Sequence, residues 1–106
     1  MSLPKTPSGL SRMAGKRWKL YCREYGIVDA GGLSILETGL KALDLDKKCC
    51  ETVEKDGLMV KDRFGVLKPH GLLPTIRDAR SQWLNALKML NLDLEPIKSV
   101  GRPPGR

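Results

Sequence analysis

Few residues in this 106-residue chain are equipped for covalent chemistry. Its one histidine, His70, stands between Pro69 and Gly71 in a turn-like sequence, with no cysteine close by. A zinc site needs four ligands in recognisable pairs, and the three cysteines, Cys22, Cys49 and Cys50, show no C-x-x-C spacing. Adjacent cysteines do not pair readily with each other, so reduced, partly buried thiols are expected. The sequence holds no phosphate-binding glycine loop and no paired catalytic carboxylates in a recognisable setting. The expectation is a non-catalytic protein without metal or cofactor, in which His70 makes a structural hydrogen bond.

The chemistry that remains is electrostatic. A net charge of +7 and an isoelectric point near 9.6 point to a polyanionic partner. The charge is uneven: residues 1–26 carry a net +5, residues 27–57 a net −3 and residues 58–92 a net +4. A polyanion should avoid the middle of the chain and prefer its flanks. The stretch "SRMAGKRWKLYCREYG" (11–26) holds five of the nineteen Lys and Arg residues around one of the two tryptophans. At about 100° per residue, Arg12, Lys16, Lys19 and Arg23 fall within an arc of about 60°. Ala14, Trp18, Tyr21 and Tyr25 fall on the opposite side and are spaced for burial, while Arg17 lies on the flank. A solvated helix face usually mixes signs to gain i,i+4 pairing. Four cations at helical pitch with no interleaved acid instead suit a row of phosphates. Arg12, Lys16, Arg17, Lys19 and Arg23 are therefore the candidate DNA-binding residues.

The elements that must position this stripe are mostly helical. Residues 1–10 hold two prolines and small polar residues and read as a flexible N-terminal arm. Ser11 and Gly26 bracket the first helix as N-cap and C-terminal glycine. Asp29 could cap a second helix, but Gly31 and Gly32 weaken its first turn. Ser34 and Glu37 form a capping box, which places the helix proper from Ser34 to Gly57. Leu36, Leu40 and Leu43 make its stripe, continued by Cys50 and Val53. Leu58–Val60 and Val66–Leu67 flank a polar turn ending at Gly65, a β-hairpin signal. Pro74 fits the first turn of a third helix running to about Leu92, with Ile76, Ala79, Trp83, Leu87 and Leu90 on one face.

The fold class expected is thus mainly α: three helices, a short hairpin between the second and third, and flexible basic tails. Residues 11–92 form the domain, and 93–106, proline-rich and basic, form a C-terminal tail. No run of about 18 apolar residues exists, so no membrane span is expected. The opening decapeptide lacks the apolar core of a secretory signal. With five aromatic residues the core is thin, and association with further copies would strengthen it.

The order of parts resembles the small terminase subunit of tailed bacteriophages over roughly residues 9–92. The pieces that carry the resemblance are "GLSRMAGKRW", the acidic start Asp29 of a long helix ending "EKDGLMV", the hairpin with central Gly65, and the stretch from Lys68 to Leu92, with "TIRDARSQWLNALKMLNL". The resemblance implies a non-enzymatic protein of the bacterial host cytoplasm, absent from the mature virion. It would assemble as a ring, bind double-stranded viral DNA at the packaging start site and recruit the large ATPase–nuclease subunit. Arg12, Lys16, Lys19 and Arg23 come from the helical wheel, not from the family pattern. Two other readings stay open: a small helical transcriptional regulator, for which no convincing recognition helix is found, and a basic structural or scaffold protein.

Overall fold

The computed structural model describes residues 3–91. The C-terminal tail over 93–106, and Leu92 as the expected end of the third helix, lie outside the described residues. Within them the order is α1 (Arg12–Tyr25), α2 (Ala30–Asp56), β1 (Met59–Lys61), β2 (Leu67–Pro69) and α3 (Leu73–Met89). This is the expected arrangement of three helices with a hairpin between the second and third.

Helix α1 starts where its cap dictates. The Ser11 hydroxyl accepts the Ala14 amide hydrogen at 3.1 Å, and Gly26 ends the helix in the left-handed conformation at φ 64°. Its buried face is Ala14, Trp18 and Cys22, with Tyr21 half-buried. Tyr25, expected inside, is 37% exposed. Cys22 fills the core in its place, and Ile27, just past the helix end, packs into the same cluster. The N-terminal residues turn back along α1, where the Pro4 carbonyl accepts the Trp18 indole N–H at 3.2 Å.

Helix α2 begins one turn before the capping box. Asp29 is the cap, its carboxylate accepting the Gly32 amide hydrogen at 2.9 Å. The glycine counted as a weakness is what the cap requires. A Cβ at position 32 would lie 2.9 Å from Asp29 Oδ1 and 3.1 Å from Ile27 Cγ2. Further along, Leu36 and Leu40 are wholly buried, and Cys49 rather than Cys50 continues the buried face to Val53. Helix α2 is the central element: α1 packs on one side through Trp18 and Cys22, and α3 packs through Ala79, Trp83 and Ala86. The rings of Tyr21 and Trp83, 6.1 Å apart, join the outer two helices.

The hairpin pairs antiparallel, with Met59 opposite Pro69, Val60 opposite Lys68 and Lys61 opposite Leu67. Its turn is organised by Asp62, whose Oδ1 accepts the amide hydrogens of Phe64 (2.8 Å) and Val66 (3.0 Å). The Val66 amide foremost, with help from the Phe64 amide and the Lys68 ammonium, holds the Asp62 carboxyl below the usual carboxylate range against a desolvation penalty. Helix α3 carries Pro74 in its first turn and ends at Met89, with Leu90 as its cap and Asn91 following at φ 62°.

Candidate nucleic-acid interface

Trp18 and Cys22 anchor α1 against α2, and this burial leaves Arg12, Lys16, Lys19 and Arg23 on the exposed side of the helix. At 1.5 Å per residue the four span roughly 16 Å, about the rise of five base pairs along a DNA strand. Among the described residues no carboxylate stands within 4 Å of Arg12, Lys16 or Lys19; Arg23 meets Glu24 at 3.5 Å on the surface. Three of the four cations are thus uncommitted.

Arg17 is placed differently. It is half-buried on the flank, its Nη1 donates to the Tyr21 hydroxyl at 3.2 Å, and its Nε is enclosed without a hydrogen-bond partner. Its guanidinium braces the aromatic face instead of joining the stripe.

The structure adds two cations that charge totals concealed. Helix α2 is acidic as a whole, yet Lys47 and Lys48 line a cleft of about 570 Å³ together with Arg12. Asp44 and Glu51 share the cleft. Asp44 is occupied, accepting both the Ser11 amide hydrogen (2.8 Å) and the Ser11 hydroxyl (2.6 Å). Those bonds lock the start of α1 onto the middle of α2. They also close the N-terminus of α1 to an incoming anion, because the Ser11 oxygen and the Asp44 carboxylate already fill that position. The cations this surface leaves exposed are those of the α1 stripe, with Lys47 and Lys48 beside its Arg12 end.

The other sequence-flagged groups are structural. The His70 Nδ1 accepts the Leu72 amide hydrogen at 3.1 Å, which leaves the ring proton on Nε2, 2.9 Å from Asp56 Oδ2. His70 therefore ties the end of α2 to the start of α3, as its expected structural role requires. Cys22 and Cys49 are buried, and burial pushes the Cys22 thiol up. The Cys50 thiol is held up chiefly by its hydrogen bond to Asp46, at 3.3 Å. Among the described residues no cluster of His, Cys, Asp and Glu could hold a metal ion, and no helix is long and apolar enough to cross a membrane.

Searches of family models, curated proteins and solved structures return no match to this chain.

Proposed function

We propose that this protein is a non-catalytic DNA-binding subunit that acts as a multi-subunit ring at the start of viral genome packaging. In this reading it binds double-stranded phage DNA in the host cytoplasm and recruits a large ATPase–nuclease subunit. The observation that carries DNA binding is the exposed row of Arg12, Lys16 and Lys19, with no carboxylate within 4 Å among the described residues, joined by Lys47 and Lys48 in an α1–α2 cleft where cations outnumber the two carboxylates, Asp44 and Glu51. Repeated around a ring, so short a row becomes a continuous cationic track. The packaging role is supported by the resemblance in layout described above, from "GLSRMAGKRW" to the helix beginning "TIRDARSQW".

Light scattering of the pure protein at moderate salt tests this reading. A mass of many subunits is expected. A dimer would favour the transcriptional regulator, whose two-fold symmetry matches two half-sites. A monomer without DNA affinity would leave the scaffold reading.

A further inference from the structure

The chain carries an apolar projection and a groove that do not meet within one molecule. The projection is the hairpin tip. Phe64 is 78% exposed, with Leu58, Met59, Val66 and Leu67 also at the surface. A lone two-stranded ribbon is marginal in water and gains nothing from showing these side chains to solvent. The tip is nonetheless rigid. Asp62 holds the amides on both sides of it, Gly65 N–H bonds the Asp62 carbonyl at 2.9 Å, and the Arg63 guanidinium lies 5.5 Å over the Phe64 ring. Rigid aromatic groups make good anchors because little freedom is lost when they dock.

The groove runs between the first half of α2 and the last half of α3. It is an open groove of about 320 Å³ lined by Ser34, Ile35, Thr38, Gln82, Asn85, Ala86 and Met89, and the surface these side chains expose in it is mostly apolar. Met89 on its rim is 66% exposed. Asp78, Gln82, Asn85 and Met89 recur at i, i+4, i+7 and i+11, so Asp78 continues the α3 wall one turn beyond the groove. The Asp78 carboxylate is exposed there, 3.6 Å from Arg77.

Thr38 lies roughly 27 Å along α2 from Asp56, at the hairpin end of the helix. The base of the hairpin is pinned at that end by the His70 amide bond to the Leu58 carbonyl (2.7 Å) and by the His70–Asp56 contact. Phe64 therefore stays outside its own groove. The geometry points to a second copy of this chain as the occupant: Phe64 of one subunit enters the α2–α3 groove of the next, and Arg63 meets Asp78. The hairpin over residues 58–70 carries a net +2, and the Asp78 carboxylate beside the groove, 69% exposed and met by Arg77 only at 3.6 Å, is open to a second cation. Because projection and groove are different patches, the contact is head-to-tail, which closes into a ring or runs on as a filament and does not stop at a dimer. The inference rests on the oligomeric reading above and names its interface.

Photo-crosslinking in the full chain tests it. A benzophenone side chain replaces Asn85 in isotopically light protein, which is mixed with heavy unsubstituted protein and irradiated. Light–heavy crosslinks to residues 62–66 are expected. Crosslinks confined to residues 92–106 of the same chain would assign the groove to the C-terminal segment and overturn the proposal, as would crosslinks to another part of a neighbour. Alongside, Phe64→Asp should raise the subunit dissociation constant by roughly tenfold or more, with Phe64→Leu retaining most of the affinity. If the natural protein assembles and Phe64→Asp assembles equally well, this contact is wrong while the oligomeric reading stands. If the natural protein is monomeric, both fall.

Discussion

Gly39 of α2 and Ala86 of α3 approach so closely that a Cβ on the glycine would lie 2.6 Å from the Ala86 Cβ and 3.1 Å from the Trp83 ring. The alanine Cβ is fixed to its backbone and cannot swing aside, so the helices themselves would have to part. Gly39→Ala gains about 1 kcal/mol of helix propensity but incurs an overpacking cost of about 1–3 kcal/mol or more. Thermal unfolding should show a net loss, with a midpoint several degrees lower. An unchanged or raised midpoint would mean that the α2–α3 crossing is looser than described.

The cationic track predicts a graded response in DNA affinity. Each phosphate neutralised adds about 0.9 to the slope of log K against log salt. Replacing Arg12, Lys16 and Lys19 with alanine should weaken binding at low salt and flatten that slope by roughly two to three. Lys47→Ala with Lys48→Ala should flatten it further by one to two, although both lie on the acidic helix. Fluorescence anisotropy of a labelled duplex across a salt series measures all of this. An identical slope in the triple variant would reduce the stripe to a solvated face.

Arg17 should behave otherwise. Its bond to the Tyr21 hydroxyl and its enclosed Nε make it part of the packing, so Arg17→Ala should leave the salt slope unchanged. It should lower stability by about 1 kcal/mol through lost contact along the aromatic face. Thermal unfolding and anisotropy on the same variant separate the two effects. A flattened slope at unchanged stability would return Arg17 to the binding surface.

These contrasts mark how far the residues alone could lead. The 3.6-residue period of Leu36 and Leu40, and of Ala79 and Trp83, announced two helices because burial obeys that period whatever the partner. Ser11 and Gly26 bounded α1 because caps are local chemistry. The start of α2 lies a turn before Ser34 because glycine propensity describes an isolated helix, whereas here Asp29 caps the Gly32 amide and, with Ile27, leaves no room for a Cβ at position 32. Lys47 and Lys48 were hidden inside an acidic total; only the docking of α1 on α2 sets them beside Arg12. The helical wheel sets Arg17 on the flank, but only the fold shows that the Tyr21 hydroxyl takes its guanidinium. Cys50 was expected in the stripe, but a hydrogen bond to Asp46 holds it in a polar cluster completed by a residue thirty positions away, Arg80.

That cluster predicts a pH dependence. Asp46 is 7% exposed and accepts from Arg80 Nε at 2.7 Å and Nη2 at 3.1 Å. The Arg80 hydrogen bonds foremost hold its carboxyl below the usual range, opposed by desolvation. A carboxyl depressed in the folded state stabilises the fold above its unfolded value near 3.9 and loses that contribution as pH falls through its folded value. Natural protein should therefore lose stability below about pH 4 more steeply than Asp46→Asn. At neutral pH Asp46→Asn should cost about 1–2 kcal/mol, discounted because the guanidinium faces solvent. Urea unfolding at pH 7 and pH 3 supplies both numbers; an equal difference between the two proteins at both values would refute the assignment.

The join between α2 and α3 makes the last prediction, because His70 serves two partners at once. Its Nδ1 satisfies the Leu72 amide, which stands at the cap of a helix whose cap residue has no side-chain bond of its own. Its Nε2 proton goes to Asp56. His70→Ala strips both bonds and leaves the Leu72 amide without this acceptor, for a loss of about 1–2 kcal/mol. Asp56→Asn retains an oxygen that accepts the Nε2 proton, so its effect should be the smaller. Hydrogen exchange localises the difference: the Leu72 amide should lose protection in His70→Ala and keep it in Asp56→Asn, while the Leu73 amide keeps its bond to the residue 70 carbonyl in both. Equal exchange in both variants would mean that the imidazole does not hold the start of α3.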